Sequence, residues 1–168
     1  GLALSLVIAL LLAPALAARE VAITLLHTAD VHGHVAAVSS DREKEPGGGL
    51  LRCATRIEEI RRRDANVILV DCGDLIQGSA ESFLTQNRII VAAVRQLRYD
   101  ALVPGNHEFD GGVDALRRFY AQAKIPVLAA NISGMQEPAL PGAVPFLCKD
   151  VDGVRVVIVG LSNPLIPL

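Results

Sequence analysis

An α/β fold, built on a mostly parallel sheet covered by helices, is the architecture this sequence predicts. Three observations carry it. Short runs rich in Val, Ile and Leu recur along the chain. Stretches with a helical apolar period separate them. The chain has 168 residues, 51 % of them apolar, and a formal charge of -2, which suits one globular domain. Strand and helix alternating in this rhythm imply right-handed βαβ units.

The elements follow in order. "VAITLLH" (residues 21–27) reads as a buried strand and "NVILVD" (66–71) as a second. "DALVP" (100–104) and "IPVLAAN" (125–131) read as a third and a fourth. "EKEPGGG" (43–49) is expected as a flexible loop before the first helix. That helix is marked by Leu50, Ala54, Ile57 and Arg61, with Ile60 completing the stripe while Arg56, Glu58, Glu59, Arg62 and Arg63 face water. Ile90, Ala93, Val94 and Leu97 mark a second helix, and Val113, Leu116, Tyr120 and Ala123 a third. Beyond Pro141 the pattern changes to two β runs around Asp152-Gly153, a hairpin signal, ending in a long buried strand at 155–160. No internal repeat or low-complexity tail is visible.

Composition sets further bounds. With four Phe, two Tyr and no Trp, the core must come from Val, Leu, Ile and Ala. Nothing in the charge balance offers a basic face for a nucleic acid polymer. Residues 1–17 read as a secretory signal peptide: an uncharged apolar run, Pro14, then the small-x-small triplet Ala15-Leu16-Ala17, with cleavage after Ala17. The alternative is an uncleaved membrane anchor, but the run is short for a bilayer span of about 20 residues, and cleavage of the signal would leave no stable membrane span. A periplasmic or secreted product follows. Cys53, Cys72 and Cys148 match no zinc spacing and are expected to be small buried hydrophobes.

In open α/β sheets, sites form outside the carboxyl ends of the strands. "HTADVHGH" (27–34) follows the first predicted strand, "DCGDLIQGS" (71–79) the second and "GNHEFD" (105–110) the third. In extended backbone Asp30 and His32, two residues apart, would point to one side and converge on a cation. His27 has the opposite parity and is expected to be a structural, hydrogen-bonded histidine; His34 could face the site or solvent. Asp74 follows Gly73, which permits a sharp turn, and its carboxylate could bridge two cations. Asp71 is expected as an outer acceptor or as a cap of the turn. Asn106 offers a neutral oxygen ligand. His107 beside it is left for chemistry, and Asp110 could fix its tautomer or cap the next helix. Oxygen and nitrogen donors without thiolate favour divalent ions such as Mn, Fe or Zn.

These three motifs, in this order, resemble the calcineurin-like metallophosphoesterase superfamily, and over residues 21–131 they are most similar to its secreted 5'-nucleotidase (UshA-like) branch. The resemblance implies the N-terminal half of a four-layer α/β/β/α sandwich with two divalent metal ions, Zn, Mn or similar. It implies that Asp30 and His32 bind the first metal, that Asp74 bridges both and that Asn106 binds the second. His107 and Asp110 become the catalytic pair. A metal-bridged hydroxide would attack phosphorus in line with the leaving oxygen while His107 stabilises or protonates it. The family pattern also calls for a lone His and a G-H-x-H-type segment, whereas the histidines here are His27, His32, His34 and His107. Residues 18–168 are therefore expected to be the N-terminal part of a catalytic domain, without the branch's nucleotide-binding C-terminal domain and with little activity alone. The implied substrate is a nucleotide or other phosphoester. A 2',3'-cyclic nucleotide phosphodiesterase, a thiosulfohydrolase and a non-catalytic exported binding protein are the alternatives. No oligomeric state follows from the sequence.

Overall fold

The fold is described from a computed structural model of the chain, which describes residues 19–39, 47–132, 140 and 143–163. The predicted signal peptide at 1–17 and most of the "EKEPGGG" loop lie outside the described residues.

Five parallel strands form the main sheet in sequential order: β1 (Thr24–Thr28), β2 (Val67–Asp71), β3 (Ala101–Leu102), β4 (Val127–Leu128) and β5 (Ala143–Val144). Three helices connect the first four: α1 (Leu50–Arg63), α3 (Arg88–Leu97) and α4 (Val113–Ala123), with a short α2 (Ala80–Leu84) before α3. A sequential order requires no reversal of direction, so right-handed crossovers bring these helices to one face. There, Leu50 and Ile57 of α1, Ile90 and Val94 of α3, and Leu116 and Phe119 of α4 pack against Leu69, Leu102 and Val127 of the sheet.

The other face belongs to the antiparallel hairpin β6 (Phe146–Val151) and β7 (Val154–Val159), which turns at Asp152-Gly153 as the sequence predicts. Alternation along β2 sends Leu69 to the helices and Ile68 and Val70 to the hairpin. Leu147, Val151, Val156 and Ile158 cover the sheet from that side. The described residues thus make three layers, helix on sheet on sheet. Asp100 fixes the register of the layers. Its N–H donates to Leu69 O, its carboxylate accepts from the Leu69 N–H at 2.9 Å, and the same carboxylate pairs with Lys149 of β6.

Several expectations need correction. β1 is an edge strand and not a buried one: Leu25, in register with the buried Ile68, is 61 % exposed. β7 is buried on one side only, with Val157 and Val159 exposed. The third and fourth strands are two residues long, because their backbones leave the ladder early to form loops. β5 has no counterpart among the elements predicted from sequence. Cys72 and Cys148 are exposed and Cys53 half-buried, and none of the three is paired. Alternation explains Cys148: in β6 its neighbour Leu147 takes the inward side.

Candidate metal centre

Three loops leave the carboxyl ends of the adjacent strands β1, β2 and β3. The first runs beside the second, with N–H donation from Asp30 to Gly73 O (3.0 Å), His32 to Asp74 O (2.8 Å) and Gly33 to Leu75 O (2.9 Å). Ser79 ties the same loops by donating its hydroxyl to Gly33 O at 2.6 Å. Asp30, His32 and Asp74 all have left-handed backbone, with φ of 54°, 49° and 54°. The extended backbone expected for Asp30 and His32 is therefore corrected. Each such residue costs about 1–2 kcal/mol, a strain that clusters at functional sites.

The left-handed turns bring the side chains together. Asp30, His32 and Asp74 each offer one ligand atom, and the three atoms lie within 4.8 Å of one another. His32 Nδ1 lies 3.2 Å from the carbonyl of Gln77. A carbonyl can only accept, so Nδ1 carries the proton and Nε2 keeps the lone pair a metal needs. Two carboxylates and an imidazole fit a divalent ion of the Mn, Fe or Zn class.

The second and third loops cross at two glycines. A Cβ on Gly73 would stand 2.6 Å from Gly105 N, and one on Gly105 would stand 2.3 Å from Asp74 Oδ1. Across this contact the His107 N–H donates to Asp74 Oδ1 at 2.9 Å. The His107 and His32 rings meet edge to face, 5.1 Å between centroids. His107 Nδ1 lies 2.7 Å from Asp110 Oδ2, a hydrogen bond that raises the imidazole pKa above its ordinary value. Asp110 does not cap α4, whose N-cap is Gly112. Asn106 is exposed at the head of the 3-10 turn His107–Phe109.

His34 is half-buried and His27 exposed, so the expected structural histidine at 27 is a surface group. Both line a cavity of 490 Å³ shared with Asp30.

Two buried carboxylates underlie the loops. Asp71 accepts from the Gly73 N–H at 3.0 Å, which caps the turn, and from the Thr28 hydroxyl at 2.5 Å; that hydroxyl also meets Tyr99 OH at 2.8 Å. Burial pushes its pKa up to about 7. Its folded value thus lies above the ordinary 3.8, so its contribution is fully favourable below that value and is lost as pH rises through 7. The metal-free protein should therefore lose stability from about pH 4 to about pH 7, by about 4 kcal/mol at most from this group. Asp71→Asn should flatten the slope in denaturant titrations across that range. An unchanged slope would contradict the assignment. The second carboxylate, Glu108, had no role in the sequence reading. It is 2 % exposed and accepts from the N–H groups of Asp74, Leu75, Ile76 and Gly105. Gly105, three residues back, is its one local partner; the other three donors lie more than thirty residues upstream.

Comparison with known proteins agrees with this geometry. The family model "Calcineurin-like phosphoesterase" matches residues 23–156. A "Snake venom 5'-nucleotidase" of Crotalus adamanteus is 37 % identical over 160 residues, covering 90 % of this chain and 27 % of the relative. A "5'-nucleotidase" of Homo sapiens is 40 % identical over 125 residues, covering 71 % of this chain and 21 % of the relative. The crystal structure of a 5'-nucleotidase precursor from Thermus thermophilus superposes with a TM-score of 0.73 at 35 % identity, covering 84 % of this chain and 29 % of that one. The chain thus spans about a quarter of the length of the curated relatives it matches. Among the described residues no helix is long and apolar enough to cross a membrane. On its matched residues, its parallel sheet and its carboxylate–histidine cluster, the chain belongs to the calcineurin-like phosphoesterase family.

Proposed function

We propose that the whole protein is an exported phosphoester hydrolase of the 5'-nucleotidase type, working with two divalent metal ions. One observation carries the reading: a clustered carboxylate, imidazole and carboxylate stand beside a second histidine already paired with its own acid. Asp30, His32 and Asp74 would hold metal, and Asn106 would add a neutral oxygen ligand. Bound divalent ions supply Lewis-acid polarisation and charge neutralisation for a phosphoryl group. The residues of this chain then have separate tasks. Asp30 and Asp74 bring the negative charge that retains cations, and Gln77 O selects the His32 tautomer. Asp110 engages His107 Nδ1 and favours the imidazolium, so the other ring nitrogen can hold a proton for a leaving oxygen. Asp110 thereby acts through His107. A nucleotide is the favoured substrate because the relatives named above are 5'-nucleotidases. Export rests on the apolar run and small-x-small triplet within residues 2–17.

The test is phosphate release from AMP by the full-length protein, with and without chelation and Mn²⁺ or Zn²⁺ restoration. His107→Ala should lower kcat by about 10²–10⁴-fold, the range of general acid–base catalysis, while bound metal is kept. Activity on cyclic nucleotides or release of sulfate from a thiosulfonate carrier, with none on AMP, would assign the site to the other hydrolases. Metal-free protein without hydrolysis of any of these would make it a binding protein.

A further inference from the structure

We propose that Glu108 is a positioning residue of the metal centre, one buried carboxylate that locks the loop carrying Asp74 against the loop carrying Asn106 and His107. Each oxygen takes two donors. Oε1 accepts from Leu75 N–H at 2.7 Å and Ile76 N–H at 3.2 Å, and Oε2 from Asp74 N–H at 2.8 Å and Gly105 N–H at 2.6 Å. Four donors on two oxygens fill the capacity of an ionised carboxylate. Three of the donors are consecutive, so the backbone at 74–76 wraps an anion as a nest does. The fourth belongs to the other loop. The lock is mutual, since Asp74 accepts the His107 N–H in return.

The arrangement demands this side chain. Glutamine would aim an NH₂ group at two N–H donors and leave them unpaired in a buried site. Aspartate is one methylene shorter and could not reach both loops from the same backbone. Beside it, Gly73 and Gly105 meet in van der Waals contact, Gln77 approaches Gly111, and Asp74 accepts the His107 N–H. Glu108 therefore sets the distance between the groups that would hold metal and the imidazole that would hold the proton, while touching neither metal nor substrate. The proposal rests on the hydrolase reading above for what that spacing serves.

The experiment compares the full-length protein with Glu108→Gln and Glu108→Asp. It reads amide hydrogen exchange, Mn²⁺ affinity, and kcat and KM for AMP. Faster exchange is expected at Asp74, Leu75, Ile76 and Gly105, with α3 and α4 unchanged. Mn²⁺ affinity should fall by about 10–100-fold, as when a ligand loses its outer partner. The loss in turnover should fall on kcat, with KM nearly constant, and Glu108→Asp should lie between Glu108→Gln and wild type. Wild-type Mn²⁺ affinity and kcat in a folded Glu108→Gln would overturn the proposal. So would faster exchange throughout the sheet, or failure of both variants to fold, since either would make Glu108 a general stabiliser. A wild-type protein that binds Mn²⁺ but does not hydrolyse AMP removes the substrate assignment and leaves the lock tested by affinity and exchange. A wild-type protein that binds no Mn²⁺ removes the hydrolase reading and Glu108's role in it together, whereas a variant that matches a metal-binding wild type removes Glu108's role alone.

Discussion

Asp74→Asn is expected to empty the metal centre of the full-length protein while leaving its fold intact. The amide has the shape of the carboxylate, and its oxygen can still accept the His107 N–H that Asp74 Oδ1 accepts at 2.9 Å. Contact between the loops therefore survives, and what disappears is one negative charge facing Asp30 and His32. Loss of a ligand should exceed the about 10–100-fold in affinity that loss of an outer partner costs. Elemental analysis together with Mn²⁺ titration reads the result, and circular dichroism checks the fold. A variant with wild-type metal content would remove Asp74 from the ligand set. His107→Ala provides the contrast, because its expected deficit lies in turnover and not in metal.

Gly73→Ala should cost stability more than any exposed substitution in the chain. At φ 103° an L side chain is strained, and the new Cβ would meet Gly105 N at 2.6 Å and Gly105 Cα at 2.7 Å. Both are backbone atoms, so no rotamer change relieves the clash. Overpacking of about 1–3 kcal/mol adds to left-handed strain of about 1–2 kcal/mol. The sum is about 3 kcal/mol, or about 10 °C in Tm. Gly112→Ala is the control: its φ is 78° but nothing lies within 4 Å of its Cβ, so the strain appears without the clash. Equal losses in the two variants would show that the loops do not pack as described.

Those loops mark the boundary of what the sequence could disclose. The three long helices were legible because their core positions recur at fixed spacing, and Leu50, Ile57, Ile90, Val94, Leu116 and Tyr120 are buried as the period requires, whereas the five-residue α2 is too short to show a period. Strand interiors were legible for the same reason, but strand exposure was not. Whether Leu25 faces a layer or water depends on how far a hairpin more than a hundred residues away extends. In the candidate site, residue type carried the reading: Asp and His after strand ends are the donors a metal cluster needs, and Asp30, His32 and Asp74 do lie together. Geometry did not follow from type. Asp30 and His32 converge through left-handed turns, which no local pattern announces. Glu108 stayed silent because its partners at 74–76 are more than thirty residues upstream. Asp71 was legible only as one of two options, and its hydrogen bond to Gly73 selects the turn cap.

The sequential strand order has a consequence for how the molecule assembles. Each strand of the main sheet pairs with the one just before it in the chain, so no pairing waits for a remote segment. Folding can proceed as the chain lengthens, one βα unit at a time, each crossover closing its own loop in turn. Docking of β1 on β2 brings Asp30 and His32 beside Asp74. The crossing of Gly73 over Gly105, and with it the approach of His107, must await β3. Asp30, His32 and Asp74 thus gather before Asn106 and His107 arrive, and a nascent chain that captured an ion early would gain a template on which the third loop could close.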